Sequence, residues 1–178
     1  INIDYIIESL INKKIIGIID GKMEFGPRAL GSRSIISDPQ NNDINETINS
    51  RLERVEYMPF APVILENLAN EVLEGWDKKH LSAGHMTLTY KVKEKYRKII
   101  KGVVHFDNTV RPQVISKKNT NKVYYNIIEK YFIKTKIPCL INTSFNAHGE
   151  PILLDVEDGI NALKNKRIDI LIANNKIY

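Results

Sequence analysis

One cysteine, Cys139, stands among the 178 residues, which excludes an intramolecular disulfide framework and any site built from several thiolates. No apolar run approaches the roughly 18 residues of a membrane-spanning helix. There is no signal-peptide pattern, so the expected compartment is the cytoplasm. Internal repeats, low-complexity tracts and linkers are absent as well. Aromatic residues make up 8%, with a single tryptophan, Trp76, and no stacking platform for single-stranded nucleic acid is evident. What remains is a globular composition, 43% hydrophobic and 26% charged, which excludes collagen-like, mucin-like and disordered classes. At roughly 150 residues per domain, residues 1–178 read as one domain, long enough to bury roughly 70% of the unfolded surface without staples. The chain starts at Ile1 rather than Met and is expected to be a piece of a longer protein.

Arginine is the scarcer cation: 7 residues against 19 lysines, with a net charge of +5. The charge favours anionic partners but is weak evidence for nucleic acid. Most lysines lie in Lys/Asn/Glu-rich stretches that read as solvated surface. Five arginines (Arg28, Arg33, Arg51, Arg54 and Arg111) lie in segments punctuated by Gly, Pro and Asn. A guanidinium fork suits bidentate oxyanion contacts in a way an ammonium does not. Salt bridges that hold surface loops are the plainer alternative.

The hydrophobic pattern predicts helices over residues 3–12, 41–52, 66–74 and 121–134, and one capped by Asp155 that runs to about Lys164. It predicts strands over 15–20, 35–37, 86–92, 102–106, 112–116, 138–141, 169–173 and 176–178. Residues 60–65, bracketed and interrupted by Pro59 and Pro62, read as an edge strand at best. Residues 21–34 read as a loop exposing backbone N–H groups. The mixture, without a strict βαβ rhythm, predicts an α/β or α+β fold with one mixed twisted sheet.

Four segments carry candidate chemistry. In Glu24-Phe-Gly-Pro-Arg28-Ala-Leu-Gly-Ser-Arg33-Ser34, small residues permit close approach and two arginines add forked donors, as an oxyanion loop requires. The Gly-Lys-Ser/Thr ending of a P-loop is missing, and a structural turn fits the residue types equally well. Arg51 and Arg54 share a face if their segment is helical; Glu53 and Glu56 make a solvated, ion-paired face the favoured reading from spacing alone. His105-Phe-Asp107-Asn-Thr-Val-Arg111-Pro-Gln113 reads as a strand ending in a polar turn. Its His-x-Asp has no third ligand at persuasive spacing, so no metal site is assigned. Asn142-Thr143-Ser144-Phe-Asn146-Ala-His-Gly-Glu-Pro151 follows an apolar strand, where α/β sheets place ligands. Its amides and hydroxyls suit a nucleotide or a carbamoyl group. Ser144 lacks the Gly-x-Ser-x-Gly elbow of a hydrolase nucleophile, and Cys139 reads as an inert core thiol.

In order and spacing, MEFGPRALGSRSI, RLERVEYMPFAPV, HFDNTVRPQ and INTSFNAHGEPI, followed by DVEDGI and IDILIAN, resemble the C-terminal region of the nodulation-type O-carbamoyltransferases over about residues 15–178. The resemblance implies a YrdC-like domain, a mixed twisted sheet flanked by helices, that binds carbamoyl phosphate and ATP, with Mg²⁺, in a basic cavity. It implies formation of a carbamoyl-adenylate with release of pyrophosphate. Transfer to an acceptor hydroxyl would fall to a separate N-terminal domain of the actin/Hsp70-like superfamily carrying iron held by His and Asp. Under this resemblance Arg28, Arg54, Arg111 and Ser144 are the expected catalytic set. Arg33, Arg51, His105, Asp107, Asn142, Thr143 and Asn146 are expected to bind substrate or nucleotide, with His105 and Asp107 orienting the site. Two positions depart from the family pattern. Arg51 and Arg54 stand where relatives carry Lys-x-Arg, with Met58 before Pro59, and His148-Gly149 replaces the commoner Arg-Gly. Two alternatives share some of these features. One is a threonylcarbamoyl-adenylate synthase-like domain acting in tRNA modification; the other is a non-catalytic nucleic-acid-binding module.

Overall fold

The computed structural model describes residues 1–54 and 60–178. The elements run α1 (Ile3–Ile11), β1 (Ile16–Ile19), β2 (Arg33–Ser37), α2 (Asp43–Arg51), β3 (Ala61–Leu65), α3 (Glu66–Val72), β4 (Tyr90–Lys91), α4 (Glu94–Arg97), β5 (Thr109–Val110), β6 (Gln113–Ile115), α5 (Lys122–Thr135), β7 (Cys139–Ser144), α6 (Val156–Lys164), β8 (Ile170–Ala173) and β9 (Lys176–Ile177). Among the described residues seven strands form one mixed sheet in the order β6-β3-β7-β2-β1-β8-β9, and β4 and β5 form a separate two-stranded ladder. β1 runs parallel to β8 and β3 parallel to β6; the other pairs are antiparallel. This is the mixed α/β architecture that the hydrophobic pattern predicts.

The continuous apolar runs of β1 and β8 are buried at every position. Uninterrupted burial requires cover on both faces. α6 packs on β8 and β1, α5 on β3 and β7, and α1 on α5. α6 begins at a reciprocal capping box between Asp155 and Asp158, which satisfies orphan N–H groups of its first turn. α5 begins where the Asn121 side chain accepts from Val123 and Tyr124. Near its other end the Tyr131 hydroxyl donates to the buried carboxylate of Asp38 at 2.5 Å, which also accepts from Lys13 Nζ at 2.9 Å. That link ties the chain just after β2 to α5, and the burial and the carboxylate together push the Tyr131 phenol well up.

Three local expectations fail for physical reasons. Residues 61–65 form an interior strand between β6 and β7, and β6 joins β3 only from Val63 onward. Pro62 therefore pairs with β7 alone, where its missing N–H is tolerated. Of residues 86–92 only Tyr90–Lys91 is strand; Met86 takes a left-handed conformation, φ +56°, which breaks the extended run. Residues 102–106 are not a strand. Lys101–Val103 is a 3-10 turn, held where Gly102 N–H donates to the Pro39 carbonyl at 2.8 Å. β7 in turn extends to Ser144, three residues into the expected loop region.

Candidate functional site

A cavity of about 190 Å³ opens at the carboxyl end of β7. Its walls are Pro27–Ala29, Arg54, the start of β3 at Phe60 and Ala61, Met86, Arg111, Asn142–Ser144 and Asn146–Gly149. Three of the described lining residues are arginines and none is Asp or Glu. The result is a concave, electropositive site with no counter-ion among the described lining residues.

Each arginine arrives differently. Arg28 sits on the loop between β1 and β2, which Glu24 shapes. One carboxylate oxygen of Glu24 accepts from Leu30 N–H and from Ser32 N–H, both at 2.7 Å. Gly31 closes the loop at φ +121°, and a Cβ there would lie 2.5 Å from the Tyr124 ring. Only glycine fits both the backbone and the gap. Arg54 follows α2. Its guanidinium donates to Thr143 Oγ1 at 3.0 Å and to the Ser144 carbonyl at 3.3 Å, and lies 5.7 Å from the centre of the Phe60 ring. Burial pushes its pKa down. Arg111 leaves β5, and burial first and the Arg28 charge second push its pKa down. Among the described residues neither the Arg28 nor the Arg111 side chain makes a hydrogen bond or an ion pair. The two cations lie close enough to repel, with no described counter-ion between them, as anion-binding sites are built.

A buried polar chain fixes the back wall. The Tyr124 hydroxyl donates to Gln113 Oε1 at 3.1 Å, and Asn142 Nδ2 donates to the same oxygen at 2.8 Å. Gln113 Nε2 donates to the Leu30 carbonyl and Asn142 Nδ2 to the Ala29 carbonyl, each at 2.9 Å. The loop bearing Arg28 is thereby fastened to β6 and β7. Asn146 donates to the Ala147 and Glu150 carbonyls. The amide oxygens of Asn142 and Asn146 are both buried without a hydrogen-bond partner among the described residues.

Of the residues expected at the site, Arg28, Arg54, Arg111, Asn142, Thr143, Ser144 and Asn146 line this one cavity. Four do not. Arg33 is 6% exposed, and its fork donates to the carbonyls of Leu154, Gly21 and Ser32. It is a clamp between the loop and the segment before α6. Arg51 pairs with Asp169 at 3.0 Å, whose other oxygen accepts from Ile15 N–H at 2.8 Å. The ion-paired alternative thus describes Arg51, with a partner other than Glu53. His105 and Asp107 close a turn on Thr109. His105 Nδ1 lies 3.2 Å from Thr109 Oγ1, and Asp107 Oδ1 accepts from Thr109 N–H at 3.0 Å and Oγ1–H at 2.6 Å. They do not line the cavity, though the Arg111 charge reaches His105. Glu24, Phe60 and Met86 shape or line the site without a sequence signal of their own. Gln113 and Tyr124 support it from behind. Glu56, Met58 and Pro59 lie outside the described residues.

A profile of the carbamoyltransferase C-terminus matches residues 7–178. The chain belongs to the carbamoyltransferase C-terminal family. It is 37% identical over 167 residues to the nodulation protein NolNO of Sinorhizobium fredii, covering 93% of this chain and 24% of that protein. An uncharacterized protein of Methanocaldococcus jannaschii is 42% identical over 166 residues, covering 93% of this chain and 31% of that one. This carbamoyltransferase C-terminal chain therefore spans between a quarter and a third of the length of such relatives. In fold it is similar to full-length HypF in a phosphate- and nucleotide-bound form, with TM-score 0.68 and 19% identity over 97% of this chain and 25% of that one. It is also similar to a doubly substituted variant of P. abyssi Sua5, with TM-score 0.61 and 13% identity over 93% of this chain and 44% of that one. The expected YrdC-like architecture is the one observed.

Proposed function

We propose that this domain binds carbamoyl phosphate and ATP in the Arg28–Arg54–Arg111 cavity and forms a carbamoyl-adenylate. The carbamoyl group then passes to an acceptor hydroxyl in another part of the longer protein. The observation that carries the reading is the convergence of three guanidinium groups from three distant segments on one hollow whose described lining holds no carboxylate. Carbamoyl phosphate and ATP are both strongly anionic, and bringing them together needs fixed cations in place beforehand. Water first cleaves carbamoyl phosphate to carbamate and inorganic phosphate; a carbamate oxygen then attacks the α-phosphorus of ATP, and pyrophosphate leaves. Such phosphoryl chemistry is catalysed mainly by positioning and charge neutralisation. Arg28 and Arg111 are free to take phosphate oxygens. Arg54, already bridging Thr143 and Ser144, holds the Ser144–Asn146 segment at the carbamoyl end. The lining fits phosphate and not a resident cation, so Mg²⁺ would enter on the nucleotide with phosphate oxygens as its ligands.

The test is pyrophosphate release by the full-length protein given ATP and carbamoyl phosphate. Release that requires both substrates is expected. Its absence from folded protein would overturn the reading, and release that instead requires bicarbonate and threonine would replace it with threonylcarbamoyl-adenylate synthesis.

A further inference from the structure

Asn142 is 1% exposed yet forms part of the cavity wall, and its Oδ1 has no hydrogen-bond partner among the described residues. Buried acceptors without partners are rare and call for a reason. The amide cannot turn to relieve this one. Its Nδ2 already donates to the Ala29 carbonyl at 2.9 Å and to Gln113 Oε1 at 2.8 Å. A reversed amide would set Oδ1 against two oxygens. Gln113 is held in its own sense by the Leu30 carbonyl, which takes its Nε2 at 2.9 Å, and by the Tyr124 hydroxyl, which donates to its Oε1 at 3.1 Å. Both amides are therefore fixed, and a hydrogen-bond acceptor is left over on a residue of the cavity wall, where the described charged groups are all donors.

A ligand that completes this cavity is an anion that also carries an N–H. Inorganic phosphate, pyrophosphate and acetyl phosphate have no N–H to offer. Carbamoyl phosphate has an –NH₂ on the same small group as its phosphate. We propose that Asn142 Oδ1 accepts a hydrogen bond from the carbamoyl –NH₂ and so selects carbamoyl phosphate over other acyl phosphates, with Gln113 as the positioning residue that fixes the Asn142 amide. This rests on the carbamoyl phosphate reading and deepens it. The arginines supply attraction common to any phosphate; the neutral amide supplies the distinction. Acetyl phosphate, in which a methyl replaces the –NH₂ at nearly equal size, fills the same space and leaves the acceptor unpaired. Sites built to hydrogen-bond a polar group reject the analogue that lacks it.

The experiment is titration calorimetry of the full-length protein with carbamoyl phosphate, acetyl phosphate and inorganic phosphate, each without nucleotide, and with ATP alone. In the unaltered protein carbamoyl phosphate should bind about ten-fold or more tightly than acetyl phosphate. In Asn142→Ala and in Gln113→Ala the ratio of those two affinities should fall to near one. A merely structural defect would weaken both acyl phosphates alike and leave the ratio in place. Equal binding of the two acyl phosphates by the unaltered protein overturns the proposal whether or not either variant folds. It leaves the carbamoyl phosphate reading standing. A preference that survives Asn142→Ala also overturns it, as does a variant effect confined to ATP, which would assign the acceptor to the purine amino group. Failure of the unaltered protein to bind carbamoyl phosphate at all removes both readings together.

Discussion

The Arg54 guanidinium reaches the Thr143 hydroxyl at 3.0 Å and the Ser144 carbonyl at 3.3 Å, joining the segment after α2 to the carboxyl end of β7. It needs its fork to do so, because a lysine ammonium is a point donor that does not span two acceptors in one plane. Arg54→Lys keeps the charge and should weaken carbamoyl phosphate binding about ten-fold. Arg54→Ala should weaken it by about ten- to a hundred-fold, the range expected for one charge-assisted contact. Titration calorimetry reads both, and an unchanged affinity in Arg54→Ala removes this residue from the site.

Arg28 and Arg33 show how far such a cavity is legible in sequence. Five residues apart in one Gly-rich motif, they meet opposite surroundings. Arg28 stands on an exposed loop, while Arg33 opens a strand whose five positions are all buried, and it turns its donors on carbonyls. Spacing shows that guanidinium groups are present but not whether a carbonyl reaches them first. Arg51 is the same case, since its partner Asp169 lies 118 residues on. Local signals fared better: the Asp155 cap, the α1 and α5 stripes and the buried runs of β1 and β8 depend on neighbours in the chain. The expected strand over 102–106 depended on something remote, the Pro39 carbonyl that takes Gly102 N–H. The Tyr124–Gln113–Asn142 chain was invisible for that reason too, being assembled from one helix and two strands.

Arg28 and Arg111 oppose each other, and the Arg28 charge helps to push the Arg111 pKa down. Their side chains make no internal hydrogen bond or ion pair among the described residues, so removing either costs the fold little. Arg28→Ala and Arg111→Ala should each unfold within about 1 kcal/mol of the parent. Each should lose most of the thermal stabilisation that added carbamoyl phosphate gives the parent, since that stabilisation follows affinity. Melting curves with and without the ligand test both halves. A ligand-induced shift as large as the parent's in both variants would place the anion elsewhere.

Gly31 holds the Arg28 loop against Tyr124. At φ +121° a side chain strains the backbone, and its Cβ would meet the Tyr124 ring at 2.5 Å. Tyr124 cannot retreat, because its hydroxyl belongs to the buried chain through Gln113. Gly31→Ala should therefore destabilise by about 3 kcal/mol, combining backbone strain with overpacking. Urea unfolding measures this directly. A change under about 1 kcal/mol would mean the loop repacks freely around the ring.

The Arg111 charge reaches His105, whose pKa is lowered from 6.5, first by burial and then by that charge, against the opposing pull of Asp107. A lowered folded value means that the unfolded chain takes up the proton first as pH falls. The associated stability is complete above pH 6.5 and is lost as pH drops through the lowered folded value. Asp107, lowered from 3.8 mainly by the Thr109 hydroxyl and N–H, adds a second loss in more acidic solution, below that value. Between about pH 7.5 and about pH 5 the parent should therefore lose more thermal stability than His105→Gln, which has nothing to protonate in that window. Protonation also sets a cation beside Arg111 at the edge of an already uncompensated pair, which loosens the turn that carries Arg111 into the cavity. Melting temperatures of the two proteins across this range decide the matter. Parallel curves would show that the imidazole takes up its proton equally well folded and unfolded, and would detach His105 from the electrostatics of the site.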